Sequence, residues 1–287
     1  MGGYRIALRH SIGWTRKDSV EGNRWALSAL DPATGRVLCG AFQASDAADV
    51  PYRMWMARKP RAAILLLHGC CDYSGAYDDI APKLVRRGFS CMAYDQRGFG
   101  ATASRGNWTS QARMIGDARE AIDFFRTRVG NDIPLFILGE SMGGSVAVHT
   151  AAMHPDLNLS GLVLVAPGAL ASTLRNTLYR WFTGALRLFA SGSELLVERT
   201  SARELSAAAA IRLLADPMVM QGIRADLLAG VIEMGYAAVS AAHAVRVPVL
   251  TMVASEDDLL RAECVRQLHD NLAGEKAWAT MDKGPHL

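Results

Sequence analysis

The amino-acid sequence predicts an α/β fold: a mostly parallel central sheet flanked by helices, with a helical insertion. Three observations support this prediction. Continuous apolar runs, typical of strands that are covered on both faces, recur along the chain. Helix-prone stretches alternate with these runs, as expected when helices connect parallel strands. Between residues 168 and 244 only helix-prone sequence is found, and this interval is too long for a simple crossover connection.

The predicted elements follow one another in a regular order. Near the N-terminus, residues 25–30 and 36–42 flank the turn-forming segment 31–35, which predicts a hairpin, and residues 50–57 predict another strand. The strands of the central sheet are predicted at residues 62–67, 89–94, 135–138, 162–165, 247–253 and, with a weaker pattern, 277–281. The helices between them are predicted at residues 77–87, 108–129 and 142–154.

The long helical interval is interpreted as a cap that lies over the ends of the strands. Its helices are predicted at residues 174–190, 201–215 and 218–242, and no strand is predicted within it. The chain is therefore expected to have three parts. These are an N-terminal arm at residues 1–36, an α/β core at residues 37–167 and 245–287, and the cap at residues 168–244.

Composition and charge exclude several classes of protein. Half of the 287 residues are hydrophobic and 21% are charged, which is typical of a globular chain with a large core. The net charge is +3 and the basic residues are spread along the chain, which argues against nucleic acid as the main partner. No apolar run reaches the roughly 20 residues that a transmembrane helix needs, and the N-terminus lacks the apolar region of a secretory signal.

The cysteines indicate a reducing compartment. The five cysteines are an odd number without metal-ligand spacing. Two of them, Cys70 and Cys71, are adjacent, which disfavours a disulfide between them. We therefore expect reduced thiols, a cytoplasmic location and no metal site.

The motif Gly139-Glu140-Ser141-Met142-Gly143 directly follows the apolar run 135–138 and precedes the small-residue run 144–152. It has the G-x-S-x-G spacing of a nucleophile elbow, in which a strand turns sharply into a helix and exposes a serine. Such a turn crowds the backbone around the serine, so glycine is needed two residues before and after it. This spacing also arises by chance in a chain with 26 glycines, so the strand and helix context carries the prediction. Ser141 is therefore the candidate nucleophile.

A serine hydroxyl needs a base and an orienting carboxylate, and in this architecture the order along the chain is serine, acid, histidine. His286 follows the last predicted strand and is the candidate base. The other histidines lie in helical contexts, in the turn after an earlier strand or outside any strand-to-loop position: His10, His68, His149, His154, His243 and His269. Three acidic residues follow the strand at 247–253, and the residues alone leave the choice open among Glu256, Asp257 and Asp258.

An oxyanion hole needs two preorganised backbone N–H groups. Met142 at the elbow supplies one, and the loop after the strand at 62–67 is expected to supply the other at Cys70. Gly69 lets this backbone approach the site. A thiol mechanism at Cys70 or Cys71 has no assigned base, so both side chains are interpreted as small fillers beside the oxyanion.

Several segments together carry a family resemblance. They are His68-Gly69, Asp95-Gln96-Arg97-Gly98-Phe99-Gly100, Gly139-Glu140-Ser141-Met142-Gly143-Gly144, Val247-Pro248-Val249-Leu250 with Asp257, and Gly284-Pro285-His286. In these segments the chain resembles the α/β-hydrolase superfamily. Within it, the chain is similar to the monoacylglycerol lipase and lysophospholipase-like branch, grouped with serine aminopeptidase-type hydrolases. The resemblance extends from about residue 40 to the end, and its register favours Asp257 over Asp258 as the triad acid.

The resemblance also implies roles for residues outside the triad. Asp95 and Arg97 would brace the loop after their strand, and the turn 98–100 would shape the wall of the pocket. Relatives usually continue past the histidine into a closing helix, whereas the sequence here ends at Leu287. Either the sequence is a fragment, or His286 is held by a terminal loop.

The resemblance implies a serine hydrolase that cleaves carboxylic esters with an apolar acyl group, such as a monoacylglycerol or lysophospholipid. The reaction would pass through an acyl-enzyme and need no cofactor. Contacts to the substrate are expected from Gly69, Phe99, Trp181 and Met218, and the apolar cap suggests transient contact with a membrane surface. Three alternatives stay open: an aminopeptidase-type serine hydrolase, a perhydrolase or acyltransferase on the same triad, and a non-catalytic ligand-binding relative. The oligomeric state is also left open.

Overall fold

The computed structural model describes residues 37–170, 194–196, 214–255 and 262–281, and the structural statements below concern these residues. Ten strands are described: β1 Val37–Gln43, β2 Asp49–Trp55, β3 Ala62–Leu67, β4 Phe89–Tyr94, β5 Leu135–Glu140, β6 Gly161–Val165, β7 Glu194–Leu196, β8 Gly222–Arg224, β9 Val249–Ala254 and β10 Lys276–Met281. Eight of them form one sheet in the order β1-β2-β4-β3-β5-β6-β9-β10. The pairs β1–β2 and β2–β4 are antiparallel, and all other neighbours in this sheet are parallel. The predicted mostly parallel α/β sheet is confirmed.

Helices cover this sheet. The described α-helices are α1 Ala81–Arg86, α2 Gln111–Val129, α3 Met142–Met153, α4 Ala225–Ala241 and α5 Ala262–Asn271. The N-terminus of α2 is capped by Ser110, whose Oγ accepts the Arg113 N–H at 3.0 Å. α3 begins directly after Ser141, and its residues from Met142 to Ala151 are all buried. Because most of these side chains are small, α3 packs closely on the central strands and positions the elbow.

At the edge of the sheet, β1 corresponds to the second strand of the predicted hairpin. β1 pairs with β2, with Val37 opposite Trp55 and Gln43 opposite Asp49. The predicted partner of this strand, residues 25–30, lies outside the described residues. A short turn at residues 44–48 makes the β1–β2 pairing possible, and in it the Ala44 N–H donates to the Ala48 carbonyl at 2.9 Å.

The prediction that the cap interval holds helices alone is wrong. β7 and β8 form a two-stranded antiparallel sheet there. The predicted helix 218–242 begins only at Ala225, because the preceding residues turn: the Met218 N–H donates to Asp216 Oδ1 at 2.8 Å, and Pro217 lies inside this turn. The predicted helix 174–190 and most of 201–215 lie outside the described residues.

Two further differences concern helices. The predicted helix 77–87 is a 3-10 turn at Ser74–Tyr77 followed by the short α1, and Pro82 lies in the first turn of that helix. α5, which was not predicted from the sequence, connects β9 to β10 along the chain and packs on α4. Among the described residues one segment, Ala225–Ala244, is apolar and long enough to span a membrane by length and composition. Half of this segment is buried, and α4, which forms most of it, packs on α3, as a helix of a folded core does.

Candidate active site

Ser141 occupies the sharp turn between β5 and α3. Its backbone angles, φ 49° and ψ −118°, lie outside the regions that non-glycine residues normally adopt. The surroundings hold this conformation: the Ser141 N–H donates to the Val165 carbonyl at 3.0 Å, and the Ser141 carbonyl accepts the Gly168 N–H at 2.7 Å. The Ser145 Oγ–H then donates to the Gly168 carbonyl at 3.0 Å. The predicted nucleophile therefore lies in an elbow that is held by the end of β6 with its following loop and by α3.

The two glycines of the motif have the expected steric cause. A Cβ atom on Gly139 would overlap the Gly143 carbonyl, and one on Gly143 would overlap the Leu67 carbonyl. Both obstacles are backbone atoms, which cannot rotate away as a side chain can. The G-x-S-x-G spacing is therefore required by the close approach of β3, β5 and α3.

The loop after β3 lies against the elbow. A Cβ atom on Gly69 would be 3.4 Å from Ser141 Cβ and 3.2 Å from Glu140 Oε1. His68 fixes the start of this loop, because its Nε2 accepts the Gln96 N–H at 3.0 Å while its Nδ1 lies 2.8 Å from the Gly69 carbonyl. Since Nε2 is an acceptor, the proton resides on Nδ1 and is donated to that carbonyl. His68 is thus a structural residue, in agreement with its exclusion as the base.

The predicted oxyanion donors lie on the two segments that meet here. Met142 is the first residue of α3, and the first N–H groups of a helix have no partner within the helix. Cys70 follows Gly69 in the loop, and Cys71 adopts φ 67°. Both chain segments required for an oxyanion hole are therefore adjacent to Ser141, whereas the use of these amides in catalysis stays a prediction.

Comparison with known proteins identifies the family. The family model described as serine aminopeptidase, S33, matches residues 58–287. The chain belongs to this family. A monoacylglycerol lipase from Mycolicibacterium smegmatis is 28% identical over 236 residues, covering 79% of this chain and 81% of the relative. The monoglyceride lipase of Homo sapiens is 30% identical over 122 residues, covering 42% of this chain and 40% of the relative.

Solved structures share the fold. A soluble variant of the Saccharomyces cerevisiae monoglyceride lipase, in complex with a substrate analog, superposes with a TM-score of 0.74 at 19% identity. The match covers 92% of this chain and 91% of that one. Together the comparisons confirm the predicted α/β-hydrolase fold, the monoacylglycerol-lipase-like branch and the enzyme class, a carboxylic ester hydrolase.

In this serine aminopeptidase-family fold, the predicted acid and base follow strands on the same side of β5. β6, β9 and β10 continue the sheet beyond β5, all parallel to it, so their carboxyl ends share the edge that carries Ser141. β9 ends at Ala254 and β10 at Met281. Asp257, with its neighbours Glu256 and Asp258, and His286 lie outside the described residues, so the triad stays a prediction.

A set of hydrogen bonds joins the loop after β3 to residues 216–220 within the cap interval, which we call the cap stem. The Tyr73 O–H donates to Asp216 Oδ2 at 2.7 Å, and the Met220 N–H donates to the Cys71 carbonyl at 2.9 Å. Burial and the bonded Asp216 raise the pKa of Tyr73 above its ordinary value. Arg105, in the core, also binds the cap stem, since its Nη1 donates to the Met218 carbonyl at 2.9 Å. This connection was not predicted from the sequence, because it joins residues more than a hundred positions apart.

The residues predicted to contact substrate fall in different places. Phe99 is fully buried, and its ring packs edge-to-face on His68 with the centroids 5.8 Å apart, so it supports the loop after β3 from behind. Met218 is half-buried and packs with Tyr73 and Val219. Trp181 lies outside the described residues. Direct contact of these residues with a substrate stays a prediction.

Asp95 and Arg97 brace the turn after β4, as the resemblance implied. Asp95 accepts the Ser74 N–H at 2.9 Å and the Ala101 N–H at 2.8 Å, which ties this turn to the loop after β3. Arg97 Nε donates to Asp117 Oδ2 at 2.8 Å. Burial raises the pKa of Asp117, and the nearby Arg97 and Arg113 act in the opposite direction. This pair fixes α2 to the turn.

No group of three or more metal-ligating side chains is assembled among the residues that the structure describes. One surface cavity of about 290 Å³ lies at the amino ends of β5 and β6, at the sheet edge opposite Ser141. Its lining mixes arginine and carboxylate side chains, and Arg119 pairs with Asp156 there at 2.7 Å. This cavity is separate from the elbow.

Proposed function

We propose that the protein is a serine hydrolase that cleaves carboxylic esters with an apolar acyl group, of the monoacylglycerol or lysophospholipid type, through an acyl-enzyme on Ser141. The observation that carries this proposal is the strained Ser141 backbone at the end of β5, with the Gly69 loop against its Cβ. A serine held in this way is exposed to a substrate while backbone amides lie beside it.

In the proposed reaction, Ser141 Oγ attacks the ester carbonyl carbon while His286 takes the hydroxyl proton, and His286 returns that proton to the leaving alcohol. Asp257 orients the imidazole. The N–H groups of Cys70 and Met142 stabilise the negative charge on the carbonyl oxygen. Water then attacks the acyl-enzyme by the same steps and releases the acid.

The preference for an apolar acyl group is supported by the surface beside the loop after β3. Tyr73, Val219 and Met218 form an apolar cluster where the cap stem meets this loop. The flexible, polarisable side chain of Met218 suits an acyl chain. The relatives named above as monoacylglycerol and monoglyceride lipases support the same substrate class. We place the substrate contacts at Gly69, Trp181 and Met218, with the buried Phe99 contributing through the loop after β3 that it supports, and a transient membrane contact at the cap.

The decisive experiment combines covalent labelling with turnover. A fluorophosphonate probe should label the wild-type protein and the Ser160→Ala control, in which a serine at the opposite sheet edge is removed, but not Ser141→Ala. Hydrolysis of p-nitrophenyl esters with short, medium and long acyl chains should be fastest for medium or long chains, and Ser141→Ala should lower it by at least about 10⁴-fold. An unlabelled wild-type protein would instead support the non-catalytic alternative.

The triad acid can be tested in the same assay. Asp257→Asn should lower kcat by about 10⁴-fold, because the imidazole then loses its orienting carboxylate. Asp258→Asn serves as the matched control and should retain most of the activity. The opposite result would assign the acid to Asp258.

A second candidate, an aminopeptidase, is favoured by the description of the matching family model. An aminoacyl-anilide measured beside the esters separates the two. Turnover of the anilide without turnover of the esters would establish the peptidase.

A further inference from the structure

Two adjacent thiols lie in the loop that faces the nucleophile. The Sγ atoms of Cys70 and Cys71 are 3.7 Å apart. Cys70 is half-buried, whereas Cys71 is only 3% exposed. The other three cysteines lie on separate elements: Cys39 on β1, Cys91 on β4 and Cys264 on α5. The two thiols therefore form a vicinal pair in which Cys70 is partly accessible to solvent and Cys71 is buried.

The surroundings of the pair favour thiol chemistry. The Arg105 guanidinium lies near enough to Cys71 to interact with it electrostatically: burial lowers the pKa of Arg105, and the charges of Asp95, Cys71 and Asp216 act in the opposite direction. A neighbouring arginine eases the loss of a thiol proton, so Arg105 favours attack by Cys71, which is the nucleophile of the second step below. Burial alone raises the pKa of Cys91 to about 12, so that thiol, on β4, is inert by comparison.

We propose that Cys70 and Cys71 form a dithiol modification site that a peroxide oxidises reversibly to a vicinal disulfide, and that this oxidation inactivates the enzyme by reshaping the oxyanion loop. The consequence for activity rests on the proposed function, whereas the modification itself does not.

The chemistry balances with a peroxide as the oxidant. The thiolate of the half-buried Cys70, the more accessible of the two, attacks one oxygen of hydrogen peroxide, which forms an S–O bond, breaks the O–O bond and releases hydroxide. The Cys71 thiol then attacks the Cys70 sulfur, forms the S–S bond and expels the oxygen as water. The two sulfurs together lose two electrons, and the peroxide is reduced to water.

Closing this bond must move the backbone. The S–S bond is about 2.05 Å long, so the two sulfurs must approach by more than 1 Å, and neighbouring Cα atoms about 3.8 Å apart lie below the usual range for disulfides. The peptide between the two residues therefore has to reshape. That peptide carries the Cys70 carbonyl and the Cys71 N–H, so its rotation alters the torsion angles at both cysteines and displaces the groups on either side. These are the Cys70 N–H, the proposed oxyanion donor, and the Cys71 carbonyl, which accepts the Met220 N–H at 2.9 Å. The same strain makes the bond easy to reduce, so the modification is reversible.

Mass spectrometry of the intact enzyme tests the modification independently of activity. Trypsin releases residues 62–83, which contain both thiols and no other cysteine. After peroxide treatment and alkylation without reduction, we expect this peptide to have lost two hydrogens and to carry no alkyl group, and dithiothreitol should reverse the change. Cys71→Ser should accumulate a sulfenic acid on Cys70, trapped by dimedone, and Cys70→Ser should form no bond in this peptide.

Phenylarsine oxide provides a second probe of the pair, because its arsenic binds two neighbouring thiols and releases one water. The wild-type protein should bind one equivalent in residues 62–83, and each single serine variant should lose this binding. Cys39→Ser is the matched control, since it removes a partly exposed thiol elsewhere, and it should behave like the wild type in both mass assays.

Ester hydrolysis reports the consequence for the loop. Each variant is compared with its own reduced form, because both cysteines belong to the proposed oxyanion loop. Peroxide should lower wild-type kcat by at least about 10-fold, with recovery in dithiothreitol, since loss of one oxyanion donor costs about 10²–10³ in kcat. Peroxide products limited to over-oxidised single cysteines, or a disulfide that leaves kcat unchanged, would overturn the proposal. If fluorophosphonate labelling and ester turnover both fail in the reduced protein, the proposed function fails, while the mass assays still decide the dithiol site.

Discussion

Gly143 faces the carbonyl oxygen of Leu67 so closely that a Cβ atom at this position would overlap it. Gly143 lies in the first turn of α3, and Leu67 is the last residue of β3. The nucleophile and the loop that carries the second proposed oxyanion donor are therefore positioned by one backbone-to-backbone contact. A change at Gly143 should disturb both.

We predict that Gly143→Ala lowers the free energy of unfolding by roughly 1–3 kcal/mol, because the added methyl group forces the backbone apart. The same displacement should lower ester hydrolysis by about 100-fold, since a misplacement of about 1 Å is costly in catalysis. Urea denaturation and p-nitrophenyl ester turnover measure the two effects. Gly116→Ala in α2 is the control, because its Cβ would meet only the flexible Arg113 side chain. If Gly143→Ala behaved like this control, the contact would not constrain the elbow.

Gly69→Ala should act on catalysis with little effect on stability. Its Cβ would lie 3.4 Å from Ser141 Cβ and 3.2 Å from Glu140 Oε1, so the loop needs to give by only a few tenths of an ångström. We expect kcat to fall by about 10-fold with a nearly unchanged Tm. Gly40→Ala on β1 meets the end of the Tyr52 side chain instead and should keep wild-type kcat. An unaltered kcat in Gly69→Ala would remove the support for this loop as part of the site.

The Asp117 carboxylate should contribute far more to the free energy of unfolding than a surface carboxylate does. Asp117 is fully buried, and it lies 2.8 Å from Arg97 Nε and 2.8 Å from Arg113 Nε. Asp117→Asn leaves these guanidinium groups without their shared charge, so we expect a loss of about 3–5 kcal/mol in the free energy of unfolding. Asp156→Asn removes the partner of Arg119 on the surface and should cost much less. Equal losses in urea denaturation would contradict this prediction.

The parts of the fold that the sequence revealed are those with a local cause. β3, β6 and the first four residues of β5 are unbroken apolar runs, and the elbow is specified by glycines within two residues of Ser141. The cap stem is different. Tyr73 and Asp216 are 143 positions apart, and no sequence pattern around either residue predicts the hydrogen bond between them. Only the folded chain brings such a pair together.

The same distinction applies to short elements and to the acid. β8 spans only three residues, too few for an alternating pattern, and its pairing with β7 supplies the stability that its own sequence lacks. Asp257 and Asp258 are adjacent in the sequence and have the same side chain. Spacing alone could not choose between them.

The stability of the fold should depend on pH through His149. This histidine of α3 is buried, and its Nε2 lies 3.2 Å from the Met234 carbonyl on α4. Burial lowers the pKa of His149 below its ordinary value of about 6.5, and the bond to Met234 opposes this shift. The unfolded chain therefore binds a proton at His149 more readily than the folded protein does. The stabilisation is complete above about pH 6.5 and is lost as the pH falls below it.

Urea denaturation between pH 7.5 and 5.5 measures this loss, which reaches at most about 1.4 kcal/mol per pH unit for one group. His149→Gln can still donate to the Met234 carbonyl but does not titrate, so its free energy of unfolding should fall less steeply with decreasing pH. His243→Gln, at an exposed position beyond α4, should retain the wild-type slope. Because the comparison concerns slopes, a general destabilisation by either substitution does not affect it. Identical slopes for His149→Gln and the wild type would mean that the folded protein accepts the proton at His149 as readily as the unfolded chain does, and that burial against α4 does not govern its titration.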